Sequence, residues 1–261
     1  MRKIYYLRTA ILGIITSTII SFSTKAQSAD SISTSSYKVT ADLVSSYVWR
    51  GVPCPGMHTV GNSSFVSMSP NFQPTLAYTK GSFEIGAWGS TDFQGGYKEV
   101  DLYASYIVGS LKFTVTDYNW NFKTRYFNYK QKETDHIFEG SVAYSGPQSF
   151  PVSIAANVMF AGADKKWDET LSAQDPEKQA YSTYVEFGYA GKYFSPFVGV
   201  TPADGYYGDG YGGVTGFSIV NIGATSTKSL KITDDYSLPL KATLGFNPQK
   251  EDIYLVFGIT F

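Results

Sequence analysis

The chain has 261 residues and a formal net charge of −1, from 21 Lys and Arg against 22 Asp and Glu. This balance excludes the basic surface that nucleic-acid binding requires, so no nucleic-acid partner is expected. The single cysteine excludes a disulfide scaffold, and two histidines exclude a three-histidine zinc site. Aromatic residues make up 16% of the chain and glycines number 25, a composition that favours strands joined by turns over a helical bundle.

Residues 1–26 are predicted to be a secretory signal peptide. A basic start is followed by an apolar run over 10–20 and by small residues ending at Ala26. The apolar run is too short for a spanning helix, which needs about 20 residues. We expect cleavage after Ala26, a short periplasmic segment over 27–36 and one domain over 37–261.

Strand-like alternation follows along most of the domain. The last ten residues are the plainest case, because large apolar residues at Ile253, Leu255 and Phe257 alternate with smaller or amphipathic ones. A strand turns successive side chains to opposite faces, so each such segment has one apolar and one polar face. The same alternation recurs over 111–116, 152–160, 181–189 and 238–246.

The connections distinguish a soluble sandwich or barrel from a membrane barrel, since both produce this alternation. Long and short connections alternate along about twelve strands, which is typical of membrane barrels with long outer loops and short periplasmic turns. The predicted long connections are 51–63, 92–97, 121–133, 162–178, 202–214 and 247–251. The sequence therefore predicts an all-β protein, a closed antiparallel transmembrane β-barrel of about 12 strands, in the outer membrane of a Gram-negative envelope.

Aromatic residues near the predicted strand ends suggest girdles at the lipid headgroups. They are Tyr37, Tyr47, Trp49, Tyr78, Tyr106, Tyr181 and Tyr189. The expected partners of the barrel are accordingly outer-membrane lipid and small hydrophilic solutes. The terminal Phe261 is similar to the signal that the outer-membrane assembly machinery reads, which adds that machinery as a partner.

Several motifs together resemble the TorF-type porin family. They are Ser46 to Gly51 (SYVWRG), Gln73-Pro74, Gly86 to Ser90 (GAWGS), Glu99 to Tyr103 (EVDLY) and the terminal segment 238–261 with Asn247-Pro248. The order of these motifs covers nearly all of the predicted mature chain. The resemblance implies an outer-membrane barrel and a pore, and no catalytic residues. The Pro53-Cys54-Pro55 segment and the connection 162–178 depart from the pattern.

The predicted lumen is the candidate functional site. Following the alternation inward places charges of both signs and several aromatic residues there, which could line a pore or fill it with ion pairs. We place Arg50 at the top of the first strand, above Asp42 on the same face. The lumen candidates are Lys38, Asp42, Arg50, Glu84, Trp88, Asp101, Tyr103, Lys112, Glu139, Tyr184, Glu186, Lys231 and Lys241.

Two functions remain open at this point. The first is a passive diffusion channel for small hydrophilic solutes, which needs no cofactor and no chemistry. The second is a closed barrel that binds a partner or ligand through its outer loops. Within these loops, the Gly/Tyr-rich segment 205–213 could serve as a contact surface or fold into the mouth.

Catalytic and metal-binding roles find little support. The histidines His58 and His136 are expected at the rim in water, and the neighbouring pair Asp135–His136 would point to opposite faces of a strand. We expect no enzyme activity, no cofactor and no metal. Cys54 is expected to be a free loop thiol, with an intermolecular disulfide as the alternative. The acidic loop residues, such as Asp164 and Asp168, are expected to be solvated.

Overall fold

The computed structural model describes residues 35–60, 63–120, 125–130, 132–207 and 216–261. The predicted signal peptide and most of the segment 27–36 lie outside the described residues. Within the described part of the chain, every regular element is a β-strand. The strands are β1 (Ser35–Val44), β2 (Val48–Trp49), β3 (Val52–Pro53), β4 (Gly56–Val60), β5 (Ser63–Ser67), β6 (Asn71–Lys80), β7 (Phe83–Asp92), β8 (Lys98–Val108), β9 (Leu111–Tyr118), β10 (Ile137–Ser145), β11 (Val152–Gly162), β12 (Lys165–Asp168), β13 (Ala173–Gln179), β14 (Thr183–Tyr189), β15 (Ser195–Thr201), β16 (Ser218–Lys231), β17 (Ser237–Asn247) and β18 (Asp252–Thr260).

Twelve of these strands close into one antiparallel barrel. Their order around it is β1, β6, β7, β8, β9, β10, β11, β14, β15, β16, β17 and β18, and β18 pairs again with β1. The prediction of an all-β, closed antiparallel barrel of about twelve strands is confirmed. The remaining strands form three short hairpins, β2–β3, β4–β5 and β12–β13. Among the described residues, we find no helix with the length and apolar character that crossing a membrane requires.

The barrel closes through a short seam between its first and last strands. Register pairs run only from Asp42 with Thr260 to Val44 with Gly258. Ala41 and Phe261 extend the seam by exchanging two backbone hydrogen bonds. The C-terminal residue is therefore part of the barrel wall.

The four longest connections share one end of the barrel, as the sequence predicts, but the connections 93–97 and 248–251 at that end are as short as the turns at the other end. One end of the barrel, the short-turn end, carries 81–82, 109–110, 146–151, 190–194 and 232–236. The opposite end, the long-connection end, carries 45–70, 93–97, 119–136, 163–182, 202–217 and 248–251. Both chain ends of the barrel point to the short-turn end, because the strand number is even.

The two faces of the barrel wall differ in polarity. Outward-facing residues such as Leu76, Val115, Leu255 and Phe257 are large, apolar and exposed. Inward-facing residues are mostly charged, amide, hydroxyl or aromatic side chains, and many of them are buried. A barrel with an apolar outside and a polar inside is the arrangement of barrels that sit in lipid.

Candidate functional site

The first long connection folds into the barrel instead of continuing β1. The strand ends at Val44, and residues 48–53, which we call the lumen hairpin, turn back through Arg50 and Gly51. Both turn residues have positive φ, 51° and 78°, the combination that a two-residue type I′ hairpin requires. Inside the barrel, the Asn247 side-chain amide donates a hydrogen bond of 2.9 Å to the Gly51 carbonyl. The hairpin tip is thus held against β17.

Arg50 reaches the far wall of the barrel and forms a buried ion pair with Glu139 on β10. Its two guanidinium nitrogens, Nη1 and Nη2, lie 2.5 Å and 2.8 Å from the two carboxylate oxygens. Arg50 is 7% exposed and Glu139 is fully buried. Burial is the largest single effect and lowers the pKa of Arg50, but the contributions of Glu139, Tyr207 and Tyr118 together raise it above its ordinary value. The pair ties the hairpin tip to the wall.

Aromatic side chains enclose this ion pair. Tyr118 donates a hydrogen bond of 3.0 Å to Glu139, and Tyr207 contacts both partners of the pair. The Arg50 guanidinium also lies 4.7 Å from the centre of the Trp49 ring and 5.2 Å from that of Tyr184. The bidentate charge-assisted hydrogen bonds and the contacts with ring faces together replace the water contacts that the buried guanidinium has lost.

A second set of polar contacts continues from this pair along the neighbouring strands. Tyr184 donates to Glu186 and accepts a hydrogen bond of 3.1 Å from the Asn221 amide. Asn221 in turn accepts a hydrogen bond of 2.7 Å from Tyr254. Burial of this layer is nearly complete, so side chains fill the interior at this level of the barrel.

Other predicted lumen residues form separate pairs nearer the short-turn end. Lys112 lies 3.3 Å from Glu84, and Tyr103 also bonds to Glu84. Asp42 accepts a hydrogen bond of 2.5 Å from Thr260 and lies within electrostatic reach of Lys38 and Lys241. The prediction that Arg50 lies at the top of the first strand, above Asp42, is wrong, because β1 ends at Val44 and Arg50 lies on a hairpin where it pairs with Glu139.

Three remaining candidates have different surroundings. Trp88 lies inside and packs on Tyr47, with ring centres 5.6 Å apart. Asp101 is buried and accepts a hydrogen bond of 3.3 Å from the Asn119 backbone. Lys231 does not line the interior: its side chain is 67% exposed and pairs with Asp234. The reason is that β16 extends past the end of β15, whose pairing with β16 starts at Thr225.

The aromatic girdle prediction is wrong for two residues and compatible with the structure for the others. Tyr47 and Trp49 are buried inside the barrel, because the chain leaves the wall after Val44. Tyr37, Tyr106, Tyr181 and Tyr189 are exposed, and Tyr78 packs beside Tyr37 on the outer face.

Several residues of this site were missed by reasoning from the sequence. Tyr118, Tyr207 and Asn247 contact the hairpin or its ion pair, and Asn221 donates a hydrogen bond to the neighbouring Tyr184. For Tyr207, the Gly/Tyr-rich composition of segment 205–213 was the available signal. Two placements were predicted for this segment, a contact surface or a position inside the mouth, and its described part, residues 205–207, lies inside the mouth. Residues 208–213 of that segment lie outside the described residues.

His136 is not a solvated rim residue, contrary to the prediction. It is fully buried, with Nδ1 2.6 Å from Asp117 Oδ1 and Nε2 against the Tyr126 carbonyl. Its carboxylate partner is Asp117 on the neighbouring strand, not Asp135. The contacts fasten the connection 119–136 to the barrel. The side chain of His58 lies outside the described residues.

The cysteine and the acidic loops also have defined surroundings. Cys54 is a free thiol beside the lumen hairpin, and burial raises its pKa. Asp164 is buried and accepts hydrogen bonds from the Ser182 backbone and hydroxyl. The prediction that Asp164 is solvated is therefore wrong. Asp168 accepts bonds from the Thr170 turn. No cluster of three or more metal-ligating side chains occurs among the residues that the structure describes.

Neither a scan against models of protein families nor a search of curated proteins finds a match to this chain. The resemblance to TorF-type porins therefore stays a prediction.

Proposed function

We propose that the protein is an outer-membrane channel for small hydrophilic solutes, related to the TorF-type porins, which the lumen hairpin closes at the long-connection end. The exposed apolar outer face supports a place in lipid, where only closed barrels satisfy the backbone of a strand protein. The polar interior supports the passage of hydrophilic solutes.

The observation that carries the proposal is the bidentate pair between Arg50 and Glu139. It joins a segment that is not part of the wall to the far side of the barrel, across the path that a solute would take. A wall built only for structure needs no such crossing. Because the crossing depends on side-chain contacts, the hairpin can leave when they break.

Single-channel recording in planar bilayers tests the proposal, with the full chain expressed, exported and purified from membranes. Wild-type protein should open rarely. Glu139→Gln leaves Arg50 buried without its charge partner, a change that typically costs about 3–5 kcal/mol. We expect the open probability to rise at least about tenfold, which corresponds to about 1.4 kcal/mol.

Glu84→Gln is the matched control, because it removes a carboxylate from the Lys112 pair without touching the hairpin. It should alter ion preference while the open probability stays at the wild-type level. Large, steady wild-type currents that Glu139→Gln leaves unchanged would show that the hairpin does not close the channel.

A closed barrel that acts through its outer loops is the second candidate. The complete burial of Glu139, Tyr207 and Val220 around the lumen hairpin favours a closed barrel. In that case wild-type and Glu139→Gln would both be silent, although heat-modifiable gel mobility shows that they are folded. Deletion of 163–177, which removes much of the β12–β13 hairpin, would then abolish binding and leave permeability unchanged.

A further inference from the structure

A partly open pocket lies beside the lumen hairpin at the long-connection end. We call it the aromatic pocket, and its volume is about 140 Å³. Five rings and one carboxylate form most of its wall: Tyr47, Trp49, Tyr97, Trp120, Tyr206 and Glu99. These residues come from the hairpin, from β8 and from three other long connections, so the fold assembles the pocket from distant parts of the chain.

The rings surround the space at angles to one another. Trp49 lies 5.5 Å from Tyr206 and 6.3 Å from Trp120, measured between ring centres, and none of these pairs is stacked face to face. Tyr47 and Tyr97 meet edge to face at 5.6 Å. Rings tilted around a small space turn several electron-rich faces toward it, and such faces attract a cation.

The wall contains one carboxyl group, that of Glu99. Glu99 is buried, and its carboxylate accepts a hydrogen bond of 2.7 Å from the Tyr97 hydroxyl. Asp101, two residues further along the same inward face of β8, is buried as well. Among the described residues, no lysine or arginine lines the pocket or forms an ion pair with Glu99. Buried carboxylates ordinarily have a cationic or hydrogen-bonding partner, and the partners of Glu99 are the hydroxyl groups of Tyr97 and Tyr47.

The pocket wall also holds a donor that lacks an acceptor. The Trp49 indole Nε1 is buried and forms no hydrogen bond within the described structure. Buried Trp N–H groups usually find a partner. A ligand with a hydroxyl group would supply one.

We propose that the aromatic pocket binds a compact organic ammonium ion, of the choline type. The rings suit its methyl groups, Glu99 suits its charge, and a cavity of about 150 Å³ holds a molecule the size of benzene. A bare metal ion would find one carboxylate and no further ligating cluster in the described structure. This inference goes beyond the channel proposal and is independent of it, because binding is measured in detergent and needs no conduction.

Calorimetric titration of the purified full chain with choline tests the inference, with quenching of Trp fluorescence as a second readout. We expect saturable binding, and binding at least about tenfold weaker for 3,3-dimethylbutan-1-ol, which has the same shape and no charge. Glu99→Gln should weaken choline binding by a similar factor. Trp120→Leu should weaken it while the carboxylate remains.

Glu133→Gln is the matched control, since it removes an exposed carboxylate from a long connection away from the pocket. It should bind choline as the wild type does. Phosphocholine distinguishes the source of the ammonium group. If the protein binds phosphocholine as tightly as choline, the ligand is a lipid headgroup; if it binds choline alone, the ligand is a free solute. Both results support recognition of the cation.

Any of three results would overturn the inference. One is the absence of saturable choline binding at millimolar concentration by protein whose heat-modifiable mobility shows that it is folded. The others are equal binding of choline and its neutral analogue, and equal binding by wild type and Glu99→Gln.

Discussion

Arg50 and Gly51 concentrate the backbone strain of the lumen hairpin in two adjacent residues. Arg50 adopts a left-handed conformation that residues with a Cβ avoid at a cost of about 1–2 kcal/mol. Its bidentate pair with Glu139 and the hydrogen bond from Asn247 to Gly51 hold this turn in place. Such strain persists only where the surroundings determine the conformation, which indicates that the hairpin position is specified by contacts inside the barrel.

Gly51→Ala should loosen the hairpin for two reasons. The positive φ costs about 1–2 kcal/mol with any Cβ, and a Cβ at this position would lie 2.5 Å from the Val220 carbonyl oxygen. We expect the free energy of unfolding to fall by more than the φ cost alone, and the open probability to rise. Urea titration followed by gel mobility measures the first effect, and bilayer recording measures the second.

Gly81→Ala separates these two causes. Gly81 also has positive φ, 58°, but a Cβ there meets nothing within 4 Å. In Gly81→Ala, the free energy of unfolding should fall only by the cost of the positive φ, and the open probability should not change. If both variants lose the same stability, the contact of the hairpin with Val220 has no energetic weight.

At the scale of elements, the wall of the barrel was predictable and the hairpin inside it was not. Alternation of period two specifies each wall strand locally, so segments such as 152–160 needed no knowledge of their neighbours. Ser45 to Trp49 continues that alternation, and nothing local shows that β1 ends at Val44. The Arg-Gly turn also lacks the Asn-Gly or Asp-Gly pair that usually announces a type I′ turn. Its partner Glu139 lies 89 residues away, a contact that local pattern does not contain.

The connection 119–136 is anchored to the barrel near its end by His136. Both ring nitrogens of His136 face oxygen acceptors, on Asp117 and Tyr126, and Tyr129 packs on the ring at 4.2 Å between centres. Tyr129 also donates a hydrogen bond of 3.2 Å to Asp117. The connection is therefore held to β9 by polar contacts around a single imidazole.

His136→Phe should release this connection and leave the barrel intact. The substitution keeps an aromatic ring and removes the polar contacts of His136 with Asp117 and with the Tyr126 carbonyl. Loss of a hydrogen bond to a charged group typically costs about 1.5–3 kcal/mol. Limited proteolysis should cut within 125–136 faster than in wild type. Phe127→Leu, a change of an exposed side chain in the same connection, is the control. Equal cleavage rates in all three proteins would show that His136 does not anchor the connection.

At the scale of the whole molecule, the polarity of the barrel decides its solvent. The outward face carries exposed apolar side chains around the wall, whereas buried charges occupy the inside. Exposed apolar surface of this extent is unfavourable in water and favourable in hydrocarbon. In the sequence, the difference in polarity between the two faces is present as alternation. Alternation alone leaves open which face lies inside, and the closed sheet shows that the polar face does.

Val115→Arg should therefore destabilise the barrel in lipid vesicles by about 2–4 kcal/mol, the cost of an arginine at the bilayer midplane. Val115 faces outward from the middle of β9 and is 51% exposed. Val108→Arg is the same change on an outward residue at the short-turn end of β8, 54% exposed, where the cost falls to about 0–1 kcal/mol. Urea titration of both variants in vesicles measures the difference. A water-soluble barrel would tolerate arginine equally at two equally exposed positions, so equal stabilities would argue against a place in the membrane.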